Sequence, residues 1–502
     1  LFKKVLIANR GEIACRVIRA CRELGVRAVA VYSAADRAAR HVARADEAYC
    51  IGPAPPLESY LNIERIVEAA KAAGAEAVHP GYGFLAENGD FADAVEAAGL
   101  VFIGPSGDTL RLAGDKLGAR RTMTAAGVPI IPGMAAGAGD DAAEVLAEAK
   151  KLGYPVMVKA AGGGGGKGMR AVSCDGDLEE CLAAARREAK GAFGDDTVYL
   201  EKCVVRPRHV EFQITADNDG NVVHLFEREC SIQRRHQKIV EESPSPALDD
   251  ELRAKMGAAA CDVARAVSYR NAGTVEFLLD EDKNFYFLEV NARVQVEHPV
   301  TEMVTGVDIV KAQMAVAAGE MLPFTQEDLN QRGHAIECRI YAEDPAAGFL
   351  PSAGKVLFLR EPQGPGVRLD GGIYQGYDVP VHYDPILAKL ITWGADRDEA
   401  RRRMAEALRE YVILGIRTTI PFLRDVIEHA AYAGGDTNTD FIADHFPAWR
   451  EEVPAEVLET ALAAAAAAEL AGGTPNLSVG DGVMREAPGP WQTVGPWQNG
   501  AA

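Results

Sequence analysis

The sequence predicts a multidomain α/β protein: a doubly wound parallel sheet at the N-terminus, a small strand-and-helix unit after it, and a β-rich remainder. Three observations carry this. Apolar runs alternate with amphipathic segments from the first residues, a run of five glycines interrupts a strand pattern near residue 163, and long alternating strands dominate from about residue 204. At 502 residues and 48% hydrophobic composition the chain can bury several cores, and about 150 residues per domain gives roughly three domains.

The first element, "KKVLIAN", is a continuous apolar run closed by a turn. "GEIACRVIRACREL" then repeats apolar residues at Ile13, Val17, Ala20/Cys21 and Leu24, a helical spacing, and "VRAVAVYS" resumes a strand. This βαβ opening continues through the helix "IERIVEAAKAAG", the strand "AEAVHPG", the helix "FADAVEAAG" and "LVFIGPS", so residues 1–113 read as one doubly wound domain. Its first turn, "ANRGEIA", is not G-x-G-x-x-G, which argues against a dinucleotide. Residues 114–332 form the next domain. Within it 131–203 read as a lid-like unit built from "YPVMVKA", the glycine loop, "MRAVS", the helix "LEECLAAARREAK" and "VYLEKCV". The strands "HVEFQITAD", "NVVHLFERE", "TVEFLLD" and "NFYFLEVNA" follow, and "HAIECRIYAED" opens a further β-rich domain, 333–446. Residues 447–502 differ: an alanine-rich helix precedes an arm of Gly, Pro and isolated Trp491 and Trp497, expected to be extended.

A net charge of −20 without any basic stripe argues against duplex nucleic acid. Nine cysteines without C-x-x-C spacing suit reduced thiols filling cores in a cytoplasmic protein. The chain enters a strand at once, and no long apolar run suggests a leader or a membrane span.

The glycine loop "KAAGGGGGKGMR" does not fit G-x-x-x-x-G-K-[ST], because Gly168 stands where Ser or Thr is needed and a strand follows. Its unshielded backbone N–H groups, flanked by Lys159 and Lys167, instead suit a hairpin that closes over a polyphosphate. A solvent loop is the bland alternative.

A carboxylate pair supports the sharper one. In "GTVEFLLDEDKNFYFLEVN" a two-residue turn at Asp282-Lys283, or a four-residue loop from Glu281 to Asn284, places Glu276 opposite Glu289 across a hairpin. Facing carboxylates repel unless a cation lies between them, and Asn291 would complete an all-oxygen set suited to Mg²⁺ with phosphate oxygens. A three-residue turn would put the two glutamates on opposite faces. If the strand stays extended through "EVNARVQVEHP", then Glu289, Asn291, Arg293, Gln295 and Glu297 share one polar face and Val290, Ala292, Val294 and Val296 a buried one. That polar face reads as a reaction surface.

Ordered stretches carry a wider resemblance: "LIANRGEIACRVIRAC", "HPGYGFLAEN", "FIGPS", "KAAGGGGGKGMR", "RHVEFQI", "ERECSIQRRHQKIVEESPSP", "NARVQVEHPVTEMVTG" and "HAIECRIYAEDP". Over about residues 1–446 the chain resembles biotin carboxylase, the ATP-grasp component of biotin-dependent carboxylases. The resemblance implies a Rossmann-like N-terminal domain, an ATP-grasp core with a small lid, and a β-rich C-terminal domain. It implies ATP at Lys116, Lys159, Gly165, Gly166, Glu201, Lys202, Val204, His209, Gln233 and His236. It places Mg²⁺ or Mn²⁺ on Glu276, Glu289 and Asn291. Bicarbonate would meet Lys238, Arg293, Gln295 and the Val296 backbone, with Glu297 as its base, and Arg339 would face the biotin ureido oxygen. On the polar face of the first helix, Arg16, Arg19 and Glu23 would make a homodimer contact.

Two departures accompany it. The Glu276–Glu289 segment is one residue longer than the bacterial subunit leads one to expect, and Ala292 stands where Thr or Pro is common. Because no Ala-Met-Lys-Met-like motif occurs, the resemblance implies biotin arriving on a separate carrier protein or domain, and the further partner would be a carboxyltransferase subunit. The implied reaction is ATP-dependent carboxylation of that biotin through carboxyphosphate. A catalytically silent nucleotide-binding scaffold, or another ATP-grasp acyl-phosphate ligase, are the rival readings.

Overall fold

A computed structural model describes residues 1–134, 142–160, 169–193 and 197–470. Strands β1 (Lys4–Ile7), β2 (Arg27–Ser33), β3 (Glu47–Gly52), β4 (Ala77–His79) and β5 (Val101–Phe102) form a parallel sheet in the order β3-β2-β1-β4-β5. Val5, Leu6 and Ile7 are all fully buried, which is why this strand reads as a continuous apolar run rather than an alternating one. Helix α1 (Gly11–Glu23) buries Ile13, Val17, Ala20 and Cys21, as the spacing predicts. Arg16 departs from the expected polar face. It is buried and pairs with Glu302 at 2.9 Å and Asp308 at 2.7 Å, while the side chains of Arg19 and Glu23 stay about half exposed.

The lid sheet is antiparallel, in the order β7 (Arg170–Val172), β6 (Val156–Ala160), β8 (Val198–Lys202). Helices Ala142–Leu152 and Asp175–Phe193 share with it a core containing Val145, Val156, Val158, Leu178 and Leu200. The glycine run, with Gly165 and Gly166, lies outside the described residues.

Beyond it, β9 (Arg208–Ala216), β10 (Val222–Arg234), β11 (Gln237–Ser243), β12 (Asn271–Leu279), β13 (Phe285–Asn291) and β14 (His334–Tyr341) join strands Ile386–Gly394 and Val367–Gly371 in one eight-stranded antiparallel sheet. Its order is β13-β12-β9-β10-β11-β14, then Ile386–Gly394, then Val367–Gly371. Along β9, Val210, Phe212 and Ile214 point into an apolar core with Leu252, Met256 and Val263 of the helix Asp250–Ala266. His209, Glu211 and Gln213 take the opposite face, yet they too are buried. A sheet with one buried charged face has a use for those charges.

The β12–β13 hairpin reaches its register by an unexpected route. Asp280 N donates to Asn284 O and Lys283 adopts φ +65°, so the loop is the three-residue turn Glu281-Asp282-Lys283, not two or four residues. Leu279 pairs with Phe285 and Phe277 with Phe287, a register that by itself would separate the two glutamates. A bulge at Leu288 takes up one residue, and Glu276 then pairs directly with Glu289.

Two further corrections concern side chains and one the strand's end. Cys50 and Cys174 are exposed rather than core fillers, whereas Cys15, Cys21, Cys230, Cys261 and Cys338 are buried. The chain leaves the sheet after Asn291 and turns into the helix His298–Thr305, so the extended strand expected as far as Glu297 stops early. Residues beyond Trp449 form a separate unit whose described helix, Ala455–Leu470, is exposed along its whole length; Trp491 and Trp497 lie outside the described residues. Among the described residues no helix is long and apolar enough to cross a membrane.

Candidate active site

Four strands align their charges in one row: Glu289 pairs with Glu276, Glu276 with Glu211, and Glu211 with Arg228. Three carboxylates side by side would repel one another, and buried ones would be worse. Two cations resolve the conflict. Arg228 Nε donates to Glu211 Oε1 at 2.6 Å, with its other nitrogens on Gln213, Thr274 and Thr301, and it is fully buried. Lys238 Nζ reaches Glu276 Oε1 at 2.7 Å, Glu297 Oε1 at 2.8 Å and also Glu211. Burial works against the Lys238 charge, but these three carboxylates hold its pKa well above the usual lysine value.

The segment after β13 delivers the remaining groups. Arg293 donates to Glu87 at 2.9 Å, to Asn291 Oδ1 at 2.9 Å and to Gln295 Oε1 at 3.0 Å. Gln295 and Asn291 in turn donate to Glu276 Oε1, at 3.1 Å and 2.8 Å. Glu297 sits at the N-terminus of the helix His298–Thr305 without capping it. Its carboxylate instead joins Lys238 and, at 3.0 Å, Arg339, whose Nε holds Glu241 at 2.6 Å. Burial opposes ionisation of Glu297, yet Lys238, Arg339 and Arg228 keep its pKa far below the ordinary carboxylate range. The predicted polar set is therefore brought together, with Asn291, Gln295 and Glu297 buried and Glu289 and Arg293 half-buried rather than on an open face.

The nucleotide candidates come from several elements. His209 Nε2 lies 3.0 Å from Glu276 Oε2, and Gln233 sits beside the same imidazole. On the lid, Lys159 pairs with Glu201 at 2.5 Å, and Arg120 takes the other oxygen of that carboxylate. Lys202 turns its ammonium to the carbonyls of Gly153 and Tyr154, Val204 is half-buried, and His236 is exposed at the β10–β11 turn. Lys116 opens the helix Lys116–Ala125.

The oxygen donors of Glu276, Glu289 and Asn291 fit a hard divalent cation. Burial would neutralise Glu276, but Lys238 and His209 hold it ionised, as a metal ligand must be.

Three family models match in succession: "Biotin carboxylase, N-terminal domain" over residues 1–110, "Carbamoyl-phosphate synthase L chain, ATP binding domain" over 115–325, and "Biotin carboxylase C-terminal domain" over 337–444. This chain belongs to the biotin carboxylase family. The biotin carboxylase of Allochromatium vinosum is 53% identical over 442 residues, 88% of this chain and 98% of that one. The biotin carboxylase of Haemophilus influenzae is likewise 53% identical over 442 residues, with the same shares of the two chains, 88% and 98%. Among solved structures, the biotin carboxylase domain dimer of Hydrogenobacter thermophilus 2-oxoglutarate carboxylase, in complex with MgADP, ADP and bicarbonate, matches with a TM-score of 0.86 at 48% identity. That match covers 90% of this chain and all of the other.

Within this biotin carboxylase, the sequence does not single out four partners of the site: the exposed Glu87 and the buried Glu211, Arg228 and Glu241. Glu211 carried a usable signal, since it shares the parity of His209 in "RHVEFQI". Glu87, Arg228 and Glu241 reach the site from separate elements, and no local periodicity announces that.

Proposed function

We propose that this biotin carboxylase transfers bicarbonate-derived CO₂ to biotin at the expense of ATP, with biotin presented by a separate carrier and a carboxyltransferase as the onward partner. One observation carries the reading: a single ammonium, Lys238 Nζ, touches both Glu276 of the metal-type carboxylate pair and Glu297. Metal-bound phosphate and bicarbonate chemistry would thus meet at one point.

Glu297 is ionised and flanked by two cations, so as it stands it is a weak base. Bicarbonate oxygens arriving at Lys238, Arg293, Gln295 and the Val296 N–H would draw Lys238 away from the carboxylate and raise its basicity. Glu297 then takes the bicarbonate proton as the oxyanion attacks the γ-phosphorus, ADP leaves and carboxyphosphate forms. Carboxyphosphate breaks into CO₂ and trianionic phosphate, which removes the ureido N1 proton. Arg339 stabilises the resulting oxyanion while N1 attacks CO₂. Glu276, Glu289 and Asn291 would hold Mg²⁺ or Mn²⁺, which neutralises phosphate charge when bound. Lys159, Glu201, Lys202, Val204, His209, Gln233, His236, Lys116 and the Gly165-Gly166 segment would surround the nucleotide. Arg19 and Glu23, still half exposed on α1, would face a second copy of the chain.

The test is ADP release with and without bicarbonate, and with and without free biotin. Bicarbonate-dependent release that free biotin accelerates supports the assignment. ATP cleavage indifferent to bicarbonate refutes it, and no cleavage at all restores the silent-scaffold reading.

A further inference from the structure

In "DPILAKLITWG" a lysine interrupts an otherwise apolar strand. Lys389 is fully buried, and its ammonium donates to the Val296 carbonyl at 2.7 Å. Its nearest carboxylate oxygens are farther off, Glu12 Oε2 at 3.5 Å and Asp370 Oδ2 at 3.9 Å. A buried ammonium kept only for packing should sit tightly on a carboxylate, because an ion taken from water needs close compensation. Here the shortest contact is instead to the backbone of the segment that carries Gln295 and Glu297.

The register sharpens the point. Lys389 is the direct cross-strand neighbour of Arg339, and Asp370 is its neighbour on the other side. Arg339 grips the Glu297 carboxylate and Lys389 grips the Val296 carbonyl. Adjacent cations on adjacent strands thus hold adjacent residues. The preceding carbonyl, Gln295 O, accepts a local hydrogen bond from His298 Nδ1 at 2.8 Å. Glu12 completes the set from the first turn of α1. It is buried, its carboxylate faces the Lys389 ammonium, and a Cβ at Gly372 would come within 2.8 Å of its backbone nitrogen, so α1 and the C-terminal strands meet here without slack.

We propose that Lys389 is a positioning residue for the bicarbonate step, fixing the Val296 carbonyl so that the Val296 N–H and the Glu297 carboxylate present themselves to bicarbonate together. Glu12 and Asp370 together supply the countercharge that keeps the ammonium at this depth. The proposal rests on the biotin carboxylase reading of Val296 and Glu297. A misplaced peptide at a reacting site is costly out of proportion to its displacement, and outer residues that orient such groups are worth about 10- to 100-fold in function.

The experiment compares the full-length parent with Lys389→Met and with the double variant Lys389→Met/Glu12→Gln, which removes both buried charges together. The readouts are kcat/KM for bicarbonate, KM for ATP and the melting temperature. In the double variant kcat/KM for bicarbonate should fall about 10-fold or more, with KM for ATP within about twofold and melting close to the parent. A folded double variant with the parent's kcat/KM for bicarbonate overturns the proposal. So does an equal loss towards ATP and bicarbonate, or failure of the double variant to fold, since each makes Lys389 a scaffold residue. A parent that cleaves ATP without regard to bicarbonate refutes the activity itself, a result visible before any variant is made.

Discussion

Arg339 Nη2 lies 3.0 Å from Glu297 Oε2, and the same guanidinium holds Glu241 through Nε at 2.6 Å. The residue assigned to biotin and the residue assigned to bicarbonate are therefore one ion pair. Motif reasoning gives them separate steps; the geometry couples them.

Glu297→Gln and Arg339→Gln should consequently be non-additive. Each should lower biotin carboxylation by roughly 10²-fold, since one removes the base and the other an oxyanion partner. The double variant should fall about as far as the worse single, because residues acting as a unit are lost together. Initial rates of carboxybiotin formation across the four proteins give the answer; a loss equal to the product of the singles would mean the two act independently.

The metal pair allows a separate test. Glu276→Gln keeps the shape but removes one charged oxygen donor and a partner of Lys238. The Mg²⁺ concentration for half-maximal ATP cleavage should rise about 10-fold or more. An unchanged metal requirement would move the cation elsewhere.

Acid stability has a named source away from the chemistry. Burial alone would raise Glu242, but hydrogen bonds from His334 at 2.7 Å and Arg397 at 2.6 Å hold it down at about 2, against an ordinary 4.5. A depressed carboxyl contributes stability that is fully present above the unfolded value and is lost as pH falls from about 4.5 towards 2. The shift corresponds to something on the order of 3 kcal/mol. Urea midpoints measured between these limits should drop steeply for the parent and more gently for Glu242→Gln; parallel slopes would mean that other carboxyls dominate.

Removal of residues 455–502 should leave the melting temperature and activity on free biotin nearly unchanged, because every described side chain of the helix Ala455–Leu470 is exposed. A large fall in melting temperature on truncation would contradict this. Weakened capture by a carrier or carboxyltransferase subunit would give the segment its role.

Much of this was legible in the sequence for physical reasons. The parallel sheet announced itself because β1 is buried on both faces and α1 repeats its apolar residues with helical spacing. The pairing of Glu276 with Glu289 is legible in the sequence too, but its basis is not. A three-residue turn and the Leu288 bulge cancel one another, and parity counting from either end sees only the sum. Glu297 was legible as polar, yet not as fully buried, because burial there comes from β11 and β14, far away in the chain. Arg16 misled for the same reason: its partners Glu302 and Asp308 are nearly 300 residues distant. Local pattern reports the face of an element, and only the tertiary fold decides what covers it.

ATP cleavage here serves to carboxylate biotin. The most direct measurement is incorporation of label from [¹⁴C]bicarbonate into free biotin by the purified chain, followed alongside ADP release. Labelled carboxybiotin should form only with ATP and a divalent cation, and should fall roughly 10²-fold in Glu297→Gln. Bicarbonate-dependent ADP release that leaves biotin unlabelled in the parent chain would contradict it.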